Sequence, residues 1–497
     1  MASGSGGCSR LDETPHLPPA FPRHLLAAND PPTDVEAAEI RDIVDHLHTR
    51  VSDIDASIKN AEDLLAALRS RRKSAIEDIR RGQGMLSIIR RLPADVWGEI
   101  FSHTVPDVYR RQAVDTSPWV LGHVCSRWRA ISVSLSTLWS HLDCNTPLPM
   151  LIEQIKRSKG SSLTAFLFES KTLLTLMNFS SRWETVDIQM ANPRVGDDML
   201  TVLDGSLVHG KVPMLRRLTC WNSSSATSCT AFQVAPNLST VLIHGKHGKR
   251  LQLPWAQLTR LRQQIPKIKN LSLLGSARNL VALSLTNNDA RLPFSVPPPE
   301  LIVELPLLRS LYIEKGEFLN FLVLPALENI YIQKCTYPIV SLIDRSRCRL
   351  RTISNTFDPT FEIVPVLIRS PTLREIRLRL APEHLETLIS YLTIRSTDSN
   401  NTGFRPPCPE LDAITLCDGL NEHACSLLVQ MVESRLHSTA CSSLSICRVL
   451  DTHSSKLVRH ASKTLEELRA RGAAAEWLLE NAARLKVRQW VEEYPYQ

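Results

Sequence analysis

The apolar positions of this chain fall into three patterns, and each predicts a different kind of element. The first begins at Pro31-Pro32-Thr33, where Thr33 and Glu36 have the spacing of a capping box. Behind it, Val44, Val51, Ile58, Leu65, Arg72 and Ile79 recur every seven residues, and so do Ile40, Leu47, Ile54, Ala61, Leu68 and Ala75. The two sets interleave in steps of three and four, which is the a/d seam of a coiled coil. Only Arg72 interrupts its apolar run. β-branched residues dominate the first half of the a set, which favours two strands. The pattern predicts a helix over 31–84, ended by Gly82 and Gly84. Its seam either meets another helix, in a second copy or a partner, or packs on the rest of the chain.

The second pattern, over 85–145, predicts short helices. Leu92-Pro93-Ala94-Asp95-Val96 reads as a helix start, with proline in the first turn and Asp95 complementing the helix dipole. Val96, Ile100, Phe101 and Val105 follow as one apolar stripe, and Leu121, Val124, Cys125, Trp128 and Ile131 as another. Leu138, Trp139 and Leu142 close the unit. So small a unit cannot cover this much apolar surface, so an exposed apolar face is expected, and such faces mark partner sites.

The third pattern, over 150–450, is a recurring phrase, usually a proline followed by leucines three and two apart. It starts at Leu215, Leu238, Leu280, Leu308, Leu327, Leu350, Leu373 and Leu411. The steps from Leu308 through Leu327 and Leu350 to Leu373 lie near the period of leucine-rich repeats. Each phrase predicts a short strand, with helix or turn between, such as Glu386 to Leu392. The alternative is an unrelated α/β sheet with leucine-rich strands. The tail, 454–497, is helical in pattern: Leu457, Ala461, Leu465 and Leu468, then Ala474, Trp477, Leu478, Ala482 and Leu485. A helix capping the open end of the repeats is the expected role. The fold class is therefore α/β and multidomain: a long helix, a small all-α unit, an irregular repeat solenoid and a helical cap.

Composition narrows the function. The 497 residues are 43% hydrophobic and 22% charged, an ordinary globular mixture. Net charge is +7, and the densest basic run, Arg69, Arg71, Arg72 and Lys73, is flanked by Glu62, Asp63, Glu77 and Asp78. That is read as a solvated helix face, against a nuclear signal or nucleic-acid patch. Residues 1–30 are rich in Gly, Ser, Pro and Ala without the pattern of a signal peptide, and a disordered tail is expected. No apolar run reaches the length of a membrane span, so a cytoplasmic or nuclear protein is expected, with its twelve cysteines free and most of them buried. No C-x-x-C pair, nucleotide loop, G-x-S-x-G elbow or H-E-x-x-H occurs, so no enzyme activity, metal or cofactor is expected. His244 and His247, beside Lys246, Lys249 and Arg250, make a basic loop, read as solvated or as a seat for an acidic or phosphorylated substrate.

The middle segment resembles the F-box family, in particular the F-box proteins abundant in mushroom-forming fungi. The residues that carry the resemblance are Leu92-Pro93-Ala94-Asp95-Val96-Trp97-Gly98-Glu99-Ile100-Phe101, then Val124-Cys125-Ser126-Arg127-Trp128-Arg129, then Leu138-Trp139. The order of coiled coil, F-box and leucine-rich repeats is also similar to that group. Trp97 stands where the family often has Leu, and Gly98 sits inside the helix. The resemblance implies docking on the adaptor subunit of an SCF ubiquitin ligase, and through it a cullin, by Leu92, Pro93, Val96, Ile100, Phe101, Val124, Cys125 and Trp128. For each of these, packing within the small unit is the competing role. The resemblance further implies that the repeats hold an unknown protein substrate. Strand positions Arg309, Tyr312, Tyr331, Arg374 and Arg377 are candidates, against a role as solvated polar positions. A scaffold that binds the adaptor without directing ubiquitination is the alternative. A homodimer through Val44, Leu47, Val51, Ile54, Ile58, Leu65 and Leu68 would be a further partnership.

Overall fold

The computed structural model describes residues 21–27, 29–105, 118–143, 146–167, 172–189, 202–204, 208–221, 228–244, 251–264, 268–286, 302–334, 338–355, 359–394, 406–417, 422–436, 438, 441, 446–450, 466, 470 and 474–478. The chain forms two compact units, 1–94 and 95–497. Among the described residues no helix is long and apolar enough to cross a membrane.

The first unit is dominated by one helix, α1 (Asp34–Leu86), with no buried residue. The capping box is in place: the Glu36 amide donates to Thr33 Oγ1 at 3.4 Å, and the Thr33 amide donates to Glu36 Oε2 at 2.9 Å. The expected stop at Gly82 and Gly84 is not observed. α1 runs through both glycines and ends only where Ser87 turns extended at ψ 131°. An interior glycine costs about 1 kcal/mol, too little to end a helix already propagated through twelve turns or so. Within the expected tail, Arg23–Ala27 forms a turn of helix, and His24 Nε2 lies 2.9 Å from Glu36 Oε1. Residues 1–20 lie outside the described residues.

The second unit opens with helices α2 (Ala94–Ser102), α3 (Leu121–Val124) and α4 (Ser126–Ser134). Its body is a fourteen-stranded parallel sheet. The strands are β1 (His141–Asp143), β2 (Leu163–Leu167), β3 (Trp183–Gln189), β4 (Arg217–Trp221), β5 (Thr240–His244), β6 (Arg260–Gln264) and β7 (Ala282–Thr286). They continue with β8 (Ser310–Lys315), β9 (Asn329–Lys334), β10 (Thr352–Asn355), β11 (Glu375–Leu378), β12 (Ala413–Cys417), β13 (Ile446–Leu450) and β14 (Ala474–Leu478). Spatial order equals chain order, so each strand pairs only with its neighbours in sequence. Helices such as α5 (Leu148–Arg157), α6 (Pro338–Ser346), α7 (Val364–Arg369), α8 (Pro382–Leu392) and α9 (Glu422–Leu436) fill the connections.

The leucine phrases explain the strands in detail. Each of the eight strands assigned from a phrase begins two residues after its first leucine, as β8 follows Leu308 and β9 follows Leu327. That leucine closes a turn. The Leu308, Leu327, Leu373 and Leu411 amides donate to the carbonyls of Leu305, Leu324, Ser370 and Cys408. Proline stands second in each of these turns, where its fixed φ suits the geometry. The next two amides then share one carbonyl of the preceding turn: Glu328 and Asn329 donate to Arg309 O, and Arg351 and Thr352 to Glu328 O.

Polar side chains tie successive turns together. Asn237 Nδ2 donates to Pro213 O at 2.7 Å, Asn279 Nδ2 to Ala256 O at 2.8 Å, and Arg345 Nη2 to Leu319 O at 2.6 Å. Arg435, fully buried, donates to the carbonyls of Leu392, Pro407 and Cys408. These bonds satisfy carbonyls that the core would otherwise strand.

Two differences from the sequence reading stand out. The sheet begins at His141, inside the segment assigned to the small helical unit. At the other end, Ala474–Leu478 is a strand paired in parallel with β13, where a capping helix was expected. An open parallel edge presents unpaired amides and carbonyls, and pairing with them overrides the helix preference of Ala and Glu. Leu457, Ala461, Leu465, Leu468, Ala482 and Leu485 lie outside the described residues.

Candidate docking site

α2 has two faces. Trp97 and Phe101, four residues apart, turn inward with Gly98. The Trp97 ring lies 5.4 Å from Phe101 and 4.5 Å from Trp128 of α4, and Phe101 meets Trp128 edge-on at 5.0 Å. Beneath them, Leu135 Cδ1 and Cδ2 both come within 3.4 Å of the position a Cβ would take on Gly98. Position 98 therefore has room for a methyl group in contact with Leu135 and for little more.

Val96 and Ile100, also four apart, face the other way and remain 40% and 41% exposed, while Val124 at the end of α3 is 57% exposed. Phe101 is buried and Trp128 half-buried, and both pack in the aromatic cluster. Cys125 is exposed, and its Sγ caps α4 by accepting the Trp128 amide at 3.5 Å. In the first unit, Leu92 is half-buried and Pro93 exposed.

The helices are tied to the first turns of the sheet within the same unit. Trp139 Nε1 donates to Ser132 O at 2.8 Å, and its ring meets Trp119 edge-on at 5.0 Å. The Arg157 guanidinium of α5 lies over both rings, 4.4 Å from Trp139 and 5.0 Å from Trp119, while Glu153 holds its Nε at 2.8 Å. Gln154 Nε2 donates to His141 O at 2.6 Å. These contacts give the helical platform a fixed seat on β1 and α5.

The strand face opposite the leucine core carries a second set of residues. Register places Tyr312, Tyr331, Ser354 and Arg377 in one row across β8 to β11. Tyr312 and Tyr331 are not the solvated positions expected, for each is only 3% exposed. Their rings stack at 4.8 Å and 9°, because in-register neighbours on adjacent strands lie about 4.8 Å apart. Burial, then the neighbouring Tyr331 and Glu314, push the Tyr312 phenol well above its ordinary value. Arg377 is paired with Glu375 at 2.6 Å, and Arg374 with Glu410 at 3.2 Å. Arg309 and Arg374 are exposed just before their strands.

Further along this face, Trp221 and His244 stack at 3.7 Å with planes 2° apart. His244 is thus not the solvated group expected. Burial and the nearby Arg262 hold its imidazole down to about 4. Residues 245–250 lie outside the described residues. The cysteines are free among the described residues, with Cys220, Cys229, Cys348, Cys408 and Cys425 buried. No protein-family model matches the chain, and neither does any curated protein. The protein is of a mixed α/β class, with a long N-terminal helix and a large parallel sheet preceded by a small set of helices.

Proposed function

We propose that residues 92–142 are an F-box and that the chain is the substrate-recognition adaptor of an SCF-type ubiquitin ligase. The observation that carries the reading is the division of α2. Trp97 and Phe101 build the platform, and this leaves Val96 and Ile100 exposed on the motif that resembles the family's docking segment. Val124 adds exposed apolar surface from α3, and Leu92 and Pro93 complete the motif from the chain just before α2. Aliphatic side chains left at 40% exposure or more, next to a core that could have taken them, suit a partner's groove.

The sheet is read as a divergent leucine-rich-repeat array. One-dimensional strand order, the turn that opens each strand and the recurring leucines support that reading. Its strand face and the exposed positions beside it, with Arg309, Arg374 and Arg377, are the substrate surface. The mechanism is proximity: the protein does no bond chemistry and raises the effective concentration of a substrate lysine beside a charged conjugating enzyme.

The test is capture of the purified SCF adaptor subunit by the full chain. Leu92→Ala with Pro93→Ala should abolish capture, and intact binding by that variant sinks the assignment. Co-purification of a cullin, with a bound protein accumulating when the proteasome is blocked, separates a ligase from a scaffold that only binds the adaptor.

A further inference from the structure

We propose that residues 34–86 pair with the same segment of a second copy of this chain as a parallel, in-register, two-stranded coiled coil. The inference is independent of the docking reading, because it rests on α1 alone.

α1 spans 53 residues and buries none of them. Along its seam, Val44, Val51, Ile54, Ile58, Leu65, Leu68 and Ile79 are between 37% and 58% exposed, and Leu47 is half-buried. Helices owe most of their stability to covering such a face. The seven-residue period matters as well. A stripe repeating every 3.5 residues drifts by about 20° per heptad on a straight helix. Over this seam the drift exceeds a quarter turn, so a flat surface cannot cover it, whereas a supercoiled partner can.

Chemistry selects the partner and its direction. In a parallel pair the g residue of one chain lies opposite the e residue five positions on in the other. That sets Glu36 opposite Arg41 and Arg50 opposite Asp55, both of opposite sign. The remaining g–e positions combine Ile43 with His48, Ser57 with Glu62, Leu64 with Arg69, Arg71 with Ile76, and Asp78 with Gln83, so no like charges meet. An antiparallel pair overlapping the full seam instead sets Arg50 opposite Arg71 and Asp55 opposite Glu62. Val44, Val51, Ile58 and Ile79 at a favour two strands, and the one charged a residue, Arg72, fixes register at a cost in stability.

Sedimentation equilibrium of the full chain should give a dimer, and a monomer or trimer overturns the proposal. Ile54→Asp with Ile58→Asp should give a monomer whose thermal transition for residues 95–497 is unchanged. Arg72→Leu, which disrupts nothing in the fold, should tighten the dimer roughly tenfold, about 1.4 kcal/mol. An unchanged or weaker dimer removes Arg72 from that role. Direction is read by oxidising the Val51→Cys variant and mapping disulfides by mass spectrometry. A disulfide joining position 51 of one copy to position 51 of the other is expected. In the double variant Val51→Cys with Leu68→Cys, a dominant link between position 51 and position 68 means antiparallel helices and overturns the proposal.

Discussion

Gly98 and Leu135 are spaced for one added methyl: both terminal methyls of Leu135 lie 3.4 Å from where a Cβ on residue 98 would stand. A glycine in mid-helix costs about 1 kcal/mol against alanine, and here a larger side chain would press on Leu135. The two effects can be separated. Gly98→Ala, whose added methyl fits at ordinary contact distance, should stabilise the protein by about 0.5–1 kcal/mol. Gly98→Val, with two further methyl groups against Leu135, should destabilise by about 1–3 kcal/mol. Urea denaturation of the two variants checks both signs.

The faces of α2 should respond in opposite ways. Val96→Asp and Ile100→Asp should leave stability within about 0.5 kcal/mol while abolishing capture of the adaptor subunit. Trp97→Ala opens a cavity in the aromatic cluster and should cost about 3–5 kcal/mol. If Val96→Asp unfolds the protein as Trp97→Ala does, the division of the helix is wrong.

The tyrosine stack gives a pairwise prediction. Truncating Tyr312 and Tyr331 singly and together should yield a coupling energy of about 0.5–1.5 kcal/mol in a double-mutant cycle. Additive losses would mean that each ring packs independently.

Acid should destabilise the sheet through His244. Burial first, and Arg262 second, hold its folded pKa at about 4, below the ordinary 6.5. Between these values the unfolded chain binds a proton that the folded chain does not. Stability therefore rises with pH across that window and is lost as pH falls through it, by up to about 3 kcal/mol. Burial lowers the His141 pKa as well, in the same direction. His244→Gln should flatten the slope of stability against pH between 6.5 and 4 relative to the parent chain.

The sequence shows this architecture wherever a period survives. The heptads lead to α1 and its cap at Thr33, because only a helix returns every seventh residue to one face. The leucine phrases lead to eight strands. β6 escapes the pattern although Leu258 and Leu261 are in place: Gln263 occupies the inward position that Leu285 fills in the neighbouring β7. β14 escapes because Ala and Glu read as helix formers, and no local pattern reports that an open strand edge is waiting. At the candidate site, the motif locates α2 but not the division of its stripe. Val96 and Phe101 look alike in sequence, and only the positions of Trp128 and Leu135 decide which is buried. Tyr312 and Tyr331 are nineteen residues apart, and their stacking follows from register, which becomes readable only once the strands are aligned.

Strand order that repeats chain order also affects how such a protein can change over generations. The turns carry their own leucines, several carry a side chain that bonds to the turn before, as Asn237, Asn279 and Arg345 do, and some present an outward residue such as Arg377. A turn of about 23 residues gained or lost by duplication or deletion would lengthen or shorten the array without altering contacts elsewhere. Outward residues can then change one turn at a time while the helices that precede the sheet keep their own packing.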